Sequence, residues 1–262
     1  MTAAPASTFS RYIALGDSFT EGVGDADDSL PNGVRGWADQ VAAQLARVEP
    51  GLEYANLAIR GLKMDAVLDR QVPEALAAEP DLVSIYAGGN DMLRPAVDID
   101  ALIAAYDDAI GRITGGGARV VLFTPHDPGS AALFGSLRGR FAIYCEGVRR
   151  IAEKYDAVLV DFWRIPEYQD PRFWDTDRLH MSTIGHRRMA VAVLDALGVD
   201  HTLTAPDLPA YVEPPFQDRL VGHIRWTAGF LAPWIGRRLR GVSSGDTLSP
   251  RYPALVRPVD GL

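Results

Sequence analysis

Cysteine is nearly missing from this chain of 262 residues, with Cys145 standing alone. That excludes an internal disulfide, and with no CxxC or suitable His/Cys spacing it leaves no pattern for structural zinc. Burial as a small hydrophobe is the expectation for Cys145. No apolar run approaches the roughly 18 to 20 residues that span a bilayer. Residues 1–10 show neither a basic start nor an apolar stretch, so no secretory leader is expected and the cytoplasm is the expected location. Positive charge is in deficit, 26 Lys and Arg against 34 Asp and Glu for a formal −8. That balance argues against nucleic acid as a partner, because phosphate binding depends on basic stripes. Asp25, Asp27 and Asp28 lack the glycine and distal glutamate of a calcium loop, so a solvated acidic loop and no metal are expected there.

What is present reads as an ordinary globular chain, 47% hydrophobic and 23% charged, with no sign of overall disorder. Five apolar, β-branched-rich runs, Tyr12–Leu15, Leu52–Leu57, Leu82–Ala87, Arg119–Thr124 and Ala157–Phe162, predict buried strands. Helix signals fall between them, at Trp37–Val48, at Ile99–Ile113 before Gly115, and from about Leu137 to Lys154. A last helix is predicted to start near Ser182 or Thr183, either of which can cap it, and to end before Gly198. Strands alternating with helices imply right-handed crossovers, a parallel sheet of five strands and a three-layer α/β/α sandwich. In such sheets ligands bind beyond the carboxyl ends of the strands.

The chemistry-bearing residues fall at those ends. Ser18 stands where the first apolar run stops, and Asp177-Arg-Leu-His180 lies just ahead of the last helix. A serine hydroxyl is a poor nucleophile until an imidazole takes its proton, and the imidazole needs a carboxylate to fix its tautomer. Ser18, His180 and Asp177 can fill those roles, and a turn of three residues can bring His180 and Asp177 together. Asp17 and Asp91 are expected to brace their loops by accepting backbone hydrogen bonds. His126 can line the crevice or brace a loop, and His186, in the first turns of the last helix, is expected at the surface. Gly241-Val-Ser243-Ser-Gly245 matches a G-x-S-x-G nucleophile elbow but lacks the preceding strand, the following helix and a later histidine that this motif needs.

Four blocks in order, Gly16-Asp-Ser18, Asn56 to Gly61, Gly88-Gly-Asn90-Asp91 and Asp177-Arg-Leu-His180, resemble the SGNH hydrolases, also called GDSL esterases and lipases. The resemblance covers roughly residues 10–198. It implies a flavodoxin-like sandwich with strand order 2-1-3-4-5 and a serine esterase working through a Ser18 acyl-enzyme without metal or organic cofactor. It assigns the oxyanion donors to the backbone N–H groups of Ser18 and Gly61 and to the Asn90 side-chain amide. Fixed donors of this kind are often the largest catalytic term in acyl transfer. The alternatives are an acyltransferase or thioesterase using the same triad, or an inactive acyl- or carbohydrate-binding module. The partner expected is a small-molecule ester whose acyl chain and alcohol the sequence does not specify.

The resemblance stops before the end of the chain, which divides into a hydrolase domain at 1–204 and an extension at 205–262. From Phe216 onward seven arginines face three aspartates, a net of +4 that leaves −12 for residues 1–215. Apolar positions recur through Arg219–Arg240, and Pro233 is expected to kink or split any helix there. Packing on the body is the expectation for the extension, and contact with a membrane surface is the less favoured alternative.

Overall fold

Arg11–Gly16 forms a strand, β1, because alternate side chains find two separate apolar layers: Tyr12 and Ala14 enter one core, Ile13 and Leu15 the other. The same division holds along β3 (Leu82–Tyr86) and β4 (Arg119–Phe123), where Val121 and Phe123 face the first core and Val120 and Leu122 the second. The computed structural model describes residues 8–94, 96–129, 135–233, 236 and 244–258. Gly241 to Ser243, the first part of the G-x-S-x-G match, therefore lie outside the described residues.

Between β1 and β3 lie α1 (Ser18–Glu21), α2 (Trp37–Val48), β2 (Glu53–Asn56), α3 (Met64–Ala66) and α4 (Val72–Ala77), the last two joined by a π turn at Val67–Gln71. After β3 come α5 (Gly89–Met92), α6 (Ile99–Gly115), β4, α7 (Arg138–Lys154), β5 (Val158–Val160), α8 (Thr183–Leu197), α9 (Phe216–Trp226) and β6 (Tyr252–Val256). Helices α2 and α8 cover the first core, through Trp37, Val41, Met189 and Leu194. Helices α4, α6 and α7 cover the second, through Val72, Ile110, Tyr144 and Val148. This is the expected three-layer sandwich. Cys145 is buried in α7, and the Ser182 hydroxyl caps α8 by accepting from the Gly185 N–H.

The sheet runs β5-β4-β3-β1-β2-β6. Its first five strands pair in parallel in the order implied by the resemblance, and the sixth is an addition: β6 lies antiparallel against β2, with Tyr54 opposite Val256 and Asn56 opposite Tyr252. Immediately before it, Arg251 is 3% exposed. Its guanidinium donates to Asp39 Oδ2 at 2.6 Å and to the carbonyls of Arg35 at 2.6 Å, Pro31 at 3.1 Å and Glu21 at 3.2 Å. The chain end is thus built into the sheet edge next to the segment that carries Ser18.

Two expectations require correction. His186 is fully buried rather than at the surface, because the 23–37 segment folds over it: its Nδ1 accepts from the Trp37 N–H at 3.2 Å and its Nε2 faces the Val23 carbonyl at 3.1 Å. Burial holds its pKa down at about 4, so it is a neutral structural group. Asp25 is not solvated either, since the Gly36 N–H at 3.1 Å and the Arg35 guanidinium at 3.3 Å close over it.

Candidate active site

β2 and β3 leave β1 on opposite sides, so the strand order reverses between β1 and β3 and a crevice opens beyond their carboxyl ends. The chain makes a sharp exit from β1. Gly16 has φ of 144°, and a Cβ there would meet the Tyr86 carbonyl oxygen at 2.5 Å, so only glycine fits the crossing. Asp17 caps α1 by accepting from the Phe19 N–H at 3.1 Å. Ser18 is therefore the first helical residue, half-buried and facing a cavity of about 1020 Å³.

The same cavity is lined by Gly61, Asn90, His126 and His180, so with Ser18 these residues converge from five places in the sequence. Gly61 has φ of 80° in the loop after β2, a left-handed conformation that suits glycine. Among the described residues, the N–H groups of Ser18 and Gly61 donate to no protein acceptor. Asn90, in α5, donates from Nδ2 to Asp17 Oδ2 at 2.9 Å and to the Leu62 carbonyl at 3.0 Å. Asp91 accepts from the Met64 N–H at 2.9 Å, the loop-bracing role expected of it.

His180 Nδ1 lies 2.6 Å from Asp177 Oδ2, while Asp177 Oδ1 accepts from the N–H groups of Leu179 at 2.9 Å and His180 at 3.0 Å. The turn that closes this contact holds Arg178 in the left-handed region, φ 56°. Burial pushes the Asp177 carboxyl up, but the His180 hydrogen bond and charge, with the two N–H groups, outweigh it and hold Asp177 below the ordinary carboxylate range. A charged Asp177 orients the ring with Nδ1 protonated and leaves Nε2 as the basic nitrogen.

His126 has a different character. Its ring packs 4.6 Å from Trp174 and 5.3 Å from Phe162, its Nδ1 is buried with no partner among the described residues, and burial holds its pKa down at about 4. It belongs to an aromatic wall of the cavity together with Phe19, Tyr86 and Trp174. No sequence signal marked these aromatic residues as cavity walls, since each also fits a core position.

Glu21 was missed as well. Fully buried at the end of α1, it accepts from the Arg60 N–H at 2.6 Å and from the Arg60 guanidinium at 2.7 and 3.0 Å. It thereby ties the Ser18 helix to the residue preceding Gly61. Only its place in Ser18-Phe-Thr-Glu21, one helical turn past the serine, hinted at this.

Asp17 supplies a pH test. Burial drives its carboxyl up to about 7 against the opposing pull of the Phe19 N–H, His180 and Asn90. Between the ordinary carboxylate value and about 7, the folded chain holds a proton that the unfolded chain has released, so stability from this group is greatest in acid and is lost as pH rises toward 7. An asparagine in place of this aspartate would keep the cap without titrating. The Tm of Asp17→Asn should therefore gain on that of the unaltered protein as pH goes from about 5 to about 8, with parallel curves counting against the assignment.

A serine, a histidine paired to a carboxylate, and open backbone donors at the switch point of a parallel sheet define a serine hydrolase acting on esters. Residues 14–188 match the GDSL-like Lipase/Acylhydrolase family, and the chain belongs to that family. Among solved structures it is similar to Axe2, an acetylxylan esterase from Geobacillus stearothermophilus, with 23% identity over 75% of this chain and 98% of that one and a TM-score of 0.60. A catalytic mutant of the same enzyme aligns at 24% identity over 73% and 95% of the two chains, with a TM-score of 0.61. LAE5, an alpha/beta hydrolase from the metagenome of Lake Arreo, Spain, shares 25% identity over 72% of this chain and 95% of its own, with a TM-score of 0.59. Comparison with curated proteins gives no match.

Proposed function

We propose that the protein hydrolyses carboxylic esters through an acyl-enzyme on Ser18, with His180 as general base and acid and Asp177 as its orienting carboxylate. The observation that carries this reading is His180, held by Asp177 at 2.6 Å, in the same cavity as Ser18 and Gly61. His180 Nε2 takes the Ser18 hydroxyl proton as Oγ attacks the ester carbonyl, and the carbonyl oxygen becomes anionic. The Ser18 and Gly61 N–H groups stabilise that charge. Asn90 contributes when the oxyanion competes with the Leu62 carbonyl for one of its two amide hydrogens. The imidazolium then protonates the departing alcohol, and water activated by His180 releases the acid and frees Ser18.

The aromatic wall formed by Phe19, Tyr86, Phe162 and Trp174 suits an apolar acyl group or the flat face of a sugar. Axe2 makes acetylated carbohydrate a natural member of any substrate panel, beside p-nitrophenyl esters of increasing chain length. The deciding experiment is a burst of p-nitrophenol followed by trapping with an organophosphonate and peptide mapping. The adduct should sit on Ser18. An adduct on Ser243 or Ser244, or no hydrolysis of any ester in the panel, would overturn the reading.

A further inference from the structure

Helix α9 is amphipathic in the wrong sense for a helix resting on a protein body. A surface helix ordinarily turns its apolar stripe inward and its charges to water. Here Asp218, Arg219, Gly222, His223, Arg225 and Trp226 line the active-site cavity. The opposite stripe is apolar and exposed: Phe216 at 68%, Leu220 at 49%, Val221 at 47% and Ile224 at 61%. These positions, at i, i+4, i+5 and i+8, share one face. Phe230, in the turn that continues the helix, belongs instead to the cavity side. No residue of α9 is buried.

The inner face is held by polar contacts to the loop that carries the Asp177–His180 pair. Trp226 Nε1 donates to the Asp177 carbonyl at 2.7 Å, and the Arg178 guanidinium lies 2.9 Å from His223 Nδ1 and 5.1 Å from the Trp226 ring centre. The apolar stripe takes no part in holding the helix down. It faces outward at the mouth of the cavity.

We infer that the outer face of α9 docks on an anionic lipid surface and seats the mouth of the active site against it. An amphipathic helix binds a bilayer by sinking its apolar face to the headgroup boundary, with basic residues beside it meeting anionic headgroups. The charge distribution fits that orientation. Leaving out the buried Arg251–Asp39 pair, residues 216–262 carry a net +3, with Arg237, Arg238 and Arg240 following soon after α9 in sequence, whereas residues 1–215 carry −11. An anionic surface repels the body and attracts this end alone. A second copy of the chain is the weaker occupant, because one short stripe falls well below the roughly 800 Å² per partner of a stable interface.

The test uses the full chain and vesicles of phosphatidylcholine with or without phosphatidylglycerol. The protein should sediment with the phosphatidylglycerol vesicles, bind phosphatidylcholine alone much less, and release as salt is raised. Leu220→Glu and Ile224→Glu should each weaken vesicle binding at least about tenfold, since a buried methylene is worth roughly fourfold at an interface. Both variants should keep the wild-type circular dichroism and turnover of a water-soluble acetate ester, because neither residue lines the cavity. In contrast, hydrolysis of a long-chain ester carried in the anionic vesicles should fall with binding. That last arm rests on the esterase reading, while sedimentation does not, so the two ideas fail separately. Absence of vesicle binding, equal binding to both vesicle types, indifference to the glutamate substitutions, or a dimer in light scattering that these substitutions split would each overturn the inference.

Discussion

Ser18→Ala is expected to lower kcat for a simple ester by roughly four to six orders of magnitude, the largest effect any single side chain should have here. With the hydroxyl gone no acyl-enzyme forms, and the residual rate is what the oxyanion donors and binding achieve with water alone. Asn90→Ala should cost much less, on the order of 10² to 10³, because it removes one donor among three. Ser18 is half-buried at the start of α1, where Asp17 supplies the cap, so its truncation leaves the fold intact. The check is steady-state turnover beside the Tm: a variant that keeps its Tm and more than about a hundredth of wild-type kcat would remove Ser18 from the chemistry.

The largest stability effect is expected not at that hydroxyl but at Arg251. Its guanidinium and the Asp39 carboxylate are both fully buried and 2.6 Å apart, and Tyr54 donates its hydroxyl to the other Asp39 oxygen at 2.8 Å. Removing one partner of a buried pair strands the other charge, at a cost of about 3 to 5 kcal/mol. Arg251→Met should therefore lower Tm by roughly 10 °C, at about 2 to 4 °C per kcal/mol for a domain of this size. Because Arg251 also holds the carbonyls of Glu21 and Arg35, part of the loss should appear as a lower kcat, through a looser Ser18 helix. Asp39→Asn combined with Arg251→Met removes the stranded charge and should recover most of the Tm. If the single variant melted within a degree or so of wild type, the pair would have no such weight.

Much of the framework was legible in the chain because it depends on local pattern. Trp37–Val48 matches the helix α2 to the residue, since its apolar spacing and its flanking glycine are local signals. The strands came within one or two residues at each end, the usual fraying of boundaries where the last residue pairs on one side only. The Asp177–His180 contact was readable because three residues of separation put both groups in one turn. His186, Asp25, Glu21 and Arg251 were not readable, because each is decided by partners 10 to 230 residues away.

By itself the sequence determined the layered α/β architecture and the four blocks that meet at the cavity. Hydrophobic period and glycine placement act over a few residues, and parallel strands joined by helices necessarily send their ends to one side. Only the tertiary structure decided what becomes of the extension. Tyr252–Val256 is a short apolar run with a proline, compatible with a loop, and it becomes a strand because the edge of β2 offers an unpaired row of backbone groups. The stripe of α9 reads the same in sequence whether it faces the body or water. Its direction was settled by the polar contacts of Trp226 and His223 with the loop that carries Asp177 and His180.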